Sequence, residues 1–194
     1  GGNNTWCNFL PENFGTYGQF QLTAAHICSD DEVNTDSSAG ACKGSATGQT
    51  DSGEKYAAAR DLDHKSTYVQ DAVKAYLKWM KNEIGYSGWR YDLVKGFNGS
   101  YVGQYNDAAN AYISVGEFWD GNYDLVTGWI DATGKKSMAF DFPGKYAALN
   151  NGLQSNNYSG MVWSGRQSGL IHSTYDRYAI TFVDNHDTYR DGSK

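Results

Sequence analysis

From residue 67 onward the chain alternates between two hydrophobic periods, and this alternation constrains the fold more than any other feature. Residues 67–84 place Val69, Val73, Tyr76, Leu77, Met80 and Ile84 on one helical stripe, with Thr67 and Gln70 spaced as a capping box and Gly85 just past the end. Strand-like and helix-like stretches then take turns: strand 88–94, helix about 99–111, strand 113–119, helix about 122–131, strand 138–142, helix about 144–153, a Gly/Ser/Asn-rich stretch, and strand 178–184. Repeated strand–helix units lay their strands side by side in a parallel sheet. A doubly wound sheet and a (β/α)8 barrel both satisfy the pattern. No GxGxxG follows the first strand and no phosphate-binding Gly-Lys-Ser/Thr loop is present, which counts against nucleotide folds.

Residues 1 to about 60 have a different texture, rich in Gly, Ser, Thr, Asn and Asp, and read as a small irregular lobe rather than one long loop. With 194 residues, 40% of them hydrophobic and 15% aromatic, the chain can build one sizeable core. A net charge of −6 without a basic cluster argues against nucleic acid as a partner. Apolar patterns are interrupted by Lys, Asp or Asn every few residues, so no transmembrane span is expected. Cys7, Cys28 and Cys42 are compatible with one disulfide or with three thiols. The N-terminal GGNNTWCNF has no basic or apolar leader region, and the chain stops at RDGSK directly after a strand signal, so a partial chain is expected.

Polar residues gather where the strands end. GWRYDLVKG (88–96) puts Trp89, Tyr91 and Leu93 on one face and Arg90, Asp92 and Val94 on the other. ISVGEFWD carries Glu117, MAFDFPG carries Asp141, and ITFVDNHDT ends in Asp184, Asn185, His186 and Asp187. Strand C-termini of a parallel sheet lie at one end, which in a barrel is the mouth where active sites form. Like charges concentrated there raise one another's pKa and cost stability, so the gathering points to function. Taken alone, GWRYDLVKG reads equally well as a strand with a surface ion pair, and FVDNHD also reads as an Asn/Asp turn.

Carboxylates with interspersed Arg, Lys, His and Trp suit either a metal cage or glycosidic bond cleavage. The latter needs one carboxylate at the anomeric carbon and one protonated carboxyl at the leaving oxygen. Arg90 beside Asp92 favours the ionised form, which suits a nucleophile. Phe118 and Trp119 beside Glu117 form an apolar wall that keeps an acid protonated, and Trp119 offers a flat face to a sugar ring. The other tryptophans, Trp6, Trp79, Trp129 and Trp163, read as packing.

GWRYDLVKG, VGEFW and FVDNHD, in that order on successive strands, resemble three sequence motifs of the α-amylase family, glycoside hydrolase family 13. AARDLDH (58–64) resembles the family motif at the end of the lobe called domain B. ICSDDE (27–32) and TDSGEKYAAARDLDH (50–64) are most similar to domain B of plant-type α-amylases and their bacterial relatives. The resemblance implies α/β architecture, with residues 1–60 as a domain B-like lobe and residues 61–194 as about strands 4 to 7 of a (β/α)8 barrel. It further implies retaining endo-hydrolysis of α-1,4-glucosidic bonds in starch or maltooligosaccharides, with Asp92 as nucleophile, Glu117 as general acid/base and Asp187 as transition-state stabiliser. Arg90, Lys95, Trp119 and His186 would bind substrate. Structural calcium is implied at Asp31, Asp51 and Asp61 with the carbonyls of Tyr56, Ala59 and Gly96. A transglycosylase or branching enzyme of the same family shares this machinery, and a non-catalytic glucan-binding protein on the same fold is the reading from another class.

Three departures stand out. Arg60 occupies the place of a Pro in the domain B motif, the segment between Asp31 and Asp51 is long, and the family's third-strand motif with its calcium-binding Asn and substrate-binding His is absent. An unclosed half-barrel exposes strand edges, so the isolated chain is expected to be inactive or poorly folded without its missing barrel segments. A polymeric substrate implies an extracellular or periplasmic location.

Overall fold

The computed structural model describes residues 7–35, 42–50, 53–56, 59–163 and 166–188. They divide into two compact units, one of Gly1–Gly88 with Lys95–Tyr112 and one of Trp89–Val94 with Ile113–Lys194.

The first unit begins with an antiparallel hairpin of β1 (Glu12–Asn13) and β2 (Gln19–Phe20), Glu12 opposite Phe20. Beyond it the chain is irregular, as its polar composition predicts. Its small core is Cys7, Ile27, Val33, Cys42 and Ala46 with Ala24 against them. A disulfide joins Cys7 to Cys42 across 35 residues, a loop closure that stabilises by roughly 3–4 kcal/mol. Cys28 is buried and lies outside that bond. With so few apolar residues, polar side chains do much of the binding: the Asn34 amide donates to the carbonyls of Ser29 (2.6 Å) and Ala46 (3.0 Å) and accepts from Ala46 N.

Helix α1 (Thr67–Trp79) runs on through a π-helical turn, Met80–Ile84, to Gly85 at φ 95°. The terminus is as the sequence predicts, because only glycine adopts that left-handed conformation without strain. Its start differs: the N-cap is Ser66, whose side chain makes no capping bond, and Gln70 Nε2 donates to the His64 carbonyl at 2.9 Å. The buried face also differs from the expected stripe. Val69, Ala72, Ala75 and Leu77 face inward, whereas Tyr76 and Ile84 are exposed. α1 packs on α2 (Gly99–Ala109), which Asn98 caps by accepting from Ser100 N.

In the second unit β3 (Gly88–Tyr91), β4 (Ile113–Gly116), β5 (Met138–Phe140) and β8 (Ala179–Ile180) lie in the order β3-β4-β5-β8. The pairs β4–β5 and β5–β8 are parallel, as the alternation of periods predicts. Each strand is shorter than its sequence signal. Helix α3 (Tyr123–Ala132) is capped by Asn122, which accepts from Asp124 N and Leu125 N, and buries Val126, Trp129 and Ile130. Helix α4 (Phe142–Gly144) continues as π-helical turns over Lys145–Gln154. A hairpin of β6 (Val162–Trp163) and β7 (Arg166–Gln167) precedes β8. Among the described residues no helix is long and apolar enough to cross a membrane.

His64, which sequence reading leaves without a role, is the most perturbed base of the first unit. It is buried, bonded through Nδ1 to the Tyr105 hydroxyl at 2.6 Å and stacked 4.2 Å from Phe97. Burial pulls its pKa down to about 4, against the opposing pull of Asp63. Between that value and the ordinary 6.5 the unfolded chain binds a proton that the folded one refuses, so stability falls as pH drops through this window. The loss totals about 3 kcal/mol at most. Melting temperature measured from pH 7 to pH 4 should decline, and His64→Gln, which keeps a partner for Tyr105, should flatten that decline.

Candidate active site

β3 ends at Tyr91 rather than at residue 94, and the reason lies in the next two residues. Leu93 adopts φ 46°, a left-handed conformation that costs a non-glycine residue about 1 kcal/mol. The turn aims Leu93 N toward Glu117 Oε2 at 3.4 Å. It also breaks the alternation on which the shared face of Arg90, Asp92 and Val94 was predicted: Val94 is buried, Asp92 exposed. β4 is placed against β3 by the bond from Glu117 N to the Tyr91 carbonyl, 2.9 Å.

These constraints bring Arg90, Asp92 and Glu117 together. One nitrogen, Arg90 Nη2, lies 2.8 Å from Asp92 Oδ1 and 2.6 Å from Glu117 Oε1. The two acids differ in environment: the Glu117 side chain is 3% exposed and that of Asp92 65%. Burial pushes the Glu117 carboxyl upward, the hydrogen bond with Asp92 adds to this, and Arg90 and Leu93 N pull the other way. An exposed, cation-paired carboxylate thus sits beside a buried one biased toward its protonated form.

Beside this pair, Trp119 stacks on Phe142 at 4.8 Å and donates Nε1–H to the Tyr146 hydroxyl at 2.7 Å. The FVDNHD segment folds as a self-capped turn, with Asn185 Oδ1 accepting from Asp187 N (3.0 Å) and Thr188 N (2.8 Å). The turn and the functional reading coexist, for the loop leaves His186 and Asp187 exposed and paired at 3.0 Å. Buried Lys145 holds the segment by donating to the Val183 carbonyl at 3.0 Å. Asp141 corrects the expectation of converging strand-end acids. Its buried carboxylate accepts from Gly144 N and Leu170 N, both 2.9 Å, and Ile171 N, 3.3 Å. It is a clasp for backbone, not a reactive group.

The remaining expected residues lie in the first unit. Lys95 Nζ pairs with Glu54 at 3.0 Å. Asp31, Glu32 and Asp61 bring carboxylate oxygens within 4.8 Å of one another, a grouping able to hold a metal ion. Gly96 flanks Asp61, since a Cβ there would stand 3.2 Å from Asp61 Oδ1. The Tyr56 carbonyl accepts from Ala59 N at 3.0 Å. Asp51 lies outside the described residues. Both oxygens of Glu32 are buried without a hydrogen-bond partner, which is the donor chemistry a hard cation takes. Asp31 does not fit its expected part as well, because Arg60 already pairs with it at 2.6 Å.

No family model matches the chain. Curated relatives do match. The chloroplastic α-amylase 3 of Arabidopsis thaliana is 36% identical over 160 residues, spanning 73% of this chain and 17% of that protein. Probable α-amylase 2 of the same plant is 31% identical over 160 residues, spanning 73% and 37%. Over 73% of its length the chain is thus similar to plant α-amylases. A glucan 1,4-α-maltohexaosidase of Bacillus sp. (strain 707) is 26% identical over 133 residues, spanning 66% of this chain and 25% of that one. A solved α-amylase structure from Malbranchea cinnamomea aligns with a TM-score of 0.47 at 17% identity, covering 66% of this chain and 26% of that one. The chain thus spans 17% to 37% of the length of these curated relatives.

The order β3-β4-β5-β8, with parallel pairs β4–β5 and β5–β8, is the sheet arrangement expected of part of a (β/α)8 barrel. Sequence reading passed over Leu93, Tyr146, Lys145 and Glu32. The DDE run at 30–32 could have flagged Glu32, but nothing local distinguishes Leu93 or Tyr146. Removing the Arg90 charge should strand Glu117. Arg90→Leu is expected to cost about 3 kcal/mol near neutral pH, and clearly less in a Glu117→Gln background, where no buried charge needs a partner. Because the Glu117 pKa is raised, the deficit should shrink as acid protonates it. Denaturant unfolding of the double-mutant cycle measures both effects.

Proposed function

We propose that this chain carries the hydrolytic centre of an α-amylase-type glycosidase acting within α-1,4-glucans such as starch and maltooligosaccharides, with retention of configuration. The observation that carries the reading is the single Arg90 nitrogen shared between an exposed and a buried carboxylate. Asp92, paired with Arg90 and open to solvent, attacks the anomeric carbon and forms a glycosyl-enzyme ester as the glycosidic bond breaks. Glu117 gives its proton to the departing glycosidic oxygen, then takes one from the water that cleaves the ester. Burial suits it to the first half of that cycle, and the Arg90 contact to the second, when it must be an anion.

Asp187 binds sugar hydroxyls and stabilises the oxocarbenium-like transition state, with His186 bonding to the same ring. Trp119 offers an aromatic surface whose angle is fixed by Tyr146 and Phe142. Residues 1–60 act as a domain B-like lobe and residues 61–194 as a barrel segment, with calcium as a structural ion that Asp61, among others, would hold. Calcium supplies charge neutralisation there and no step of the reaction. A polymeric substrate and the Cys7–Cys42 disulfide favour secretion into an oxidising compartment.

In the full-length protein, Glu117→Gln should lower starch hydrolysis by about three orders of magnitude or more while maltooligosaccharide binding persists. Unchanged turnover would remove Glu117 from the mechanism. The anomer released first, followed by NMR, reports retention, and the product lengths separate hydrolysis from glucan transfer.

A further inference from the structure

We propose that the cation site of the first unit has moved off Asp31, with Arg60 supplying the counter-charge for Asp31 and Glu32 joining Asp61 as a carboxylate ligand of a divalent cation. Asp31 is saturated by protein donors. Its Oδ1 accepts from Val33 N at 2.7 Å and from Arg60 Nη1 at 2.6 Å, and its Oδ2 accepts from Asp61 N at 2.7 Å. The pair is dry, with the Asp31 side chain 0% and that of Arg60 8% exposed. Three donors, one fully charged, occupy most of the roughly four lone-pair positions of a carboxylate. A dication bound to Asp31 would also stand against the guanidinium.

Glu32 is the opposite case. Each carboxylate oxygen has under 1 Å² exposed and no hydrogen-bond partner, yet one of them lies within 4.8 Å of ligand oxygens from both Asp31 and Asp61. A bare buried carboxylate is destabilising unless a cation meets it. Three carboxylates against one guanidinium leave two negative charges in the cluster, the charge of one divalent ion. The Asp31 backbone turn explains how the role shifts by one residue: Asp31 caps the turn Glu32–Asn34 by accepting from Val33 N, which holds its side chain on the Arg60 side and directs Glu32 to Asp61. Arg60, standing where the family motif has Pro, is the substitution that makes this arrangement possible.

Calcium chloride added to the chelator-treated protein, with melting temperature and calorimetric titration as readouts, tests the inference without reference to catalysis. Wild type should be stabilised by calcium. Glu32→Gln should weaken calcium binding about tenfold or more, and in chelator it should melt at or above wild type, since it removes an unpaired buried charge. Asp31→Asn should lower the melting temperature about equally with and without calcium. Arg60→Gln should tighten calcium binding, because it removes a repelling cation and frees Asp31; it decides the Arg60 half if Asp31→Asn does not fold. Calcium affinity unchanged in Glu32→Gln, or unchanged or weakened in Arg60→Gln, would overturn the inference, as would a wild type that calcium leaves unaffected. Loss of starch hydrolysis by Glu117→Gln is independent of all these outcomes.

Discussion

The second unit is organised around one guanidinium nitrogen. For Arg90 Nη2 to meet both Asp92 and Glu117, β3 and β4 must pair in one register, and the bond from Glu117 N to the Tyr91 carbonyl records that register. A slip of one residue would turn Glu117 to the other face of the sheet and leave it without its cation. The strand must also stop at Tyr91, because a continued strand would carry the Leu93 amide away from the Glu117 carboxylate. The left-handed Leu93 is therefore a consequence of the charge arrangement, and its conformational cost is offset by the buried contacts it permits.

Two buried charges of the same unit, Asp141 and Lys145, hold backbone in place. Asp141 gathers amides from two separate elements, helix α4 at Gly144 and the 3-10 turn Leu170–His172, so the chain leaving β5 and the chain approaching β8 are fixed to one carboxylate. Lys145, one turn on, fixes the segment that follows β8 through the Val183 carbonyl. Strand ends carry many unpaired backbone groups, and a buried charge that accepts or donates several bonds satisfies them at once. What distinguishes Asp92 and Asp187 from Asp141 is exposure, not their position at a strand end.

The alternation of helix and strand was legible because side-chain periodicity follows backbone geometry directly, and α1, α2, α3 and the order of the strands lie where that period puts them. The pairing of Arg90 with Asp92 was legible for the same reason, since the two are neighbours on one strand. Asp141 was misread because its type and place match those of a reactive acid, and only the loop at residues 169–171, some thirty positions away, shows what it binds. The positive φ of Leu93 left no trace in composition, as leucine is a residue that avoids it. Glu32 and Arg60 were read in the light of a resemblance that makes neither of them a ligand, and their surroundings depend on the three-residue turn Glu32–Asn34.

The two acidic clusters use the same device with different charge, and the difference accounts for their different chemistry. In each, an arginine meets a carboxylate at 2.6 Å in a poorly solvated setting. Two carboxylates against Arg90 leave one negative charge, which a single proton can cancel, and the buried acid is the one whose pKa is raised. Such a cluster can take up and release a proton within its own hydrogen bonds. Three carboxylates against Arg60 leave two negative charges, and both oxygens of the orphaned carboxylate are buried. A single proton would leave that cluster still charged and the remaining oxygens unsatisfied, whereas one divalent ion cancels the charge and fills several lone pairs together. Charge count and burial, more than residue type, thus separate a centre suited to proton transfer from one suited to a resident cation.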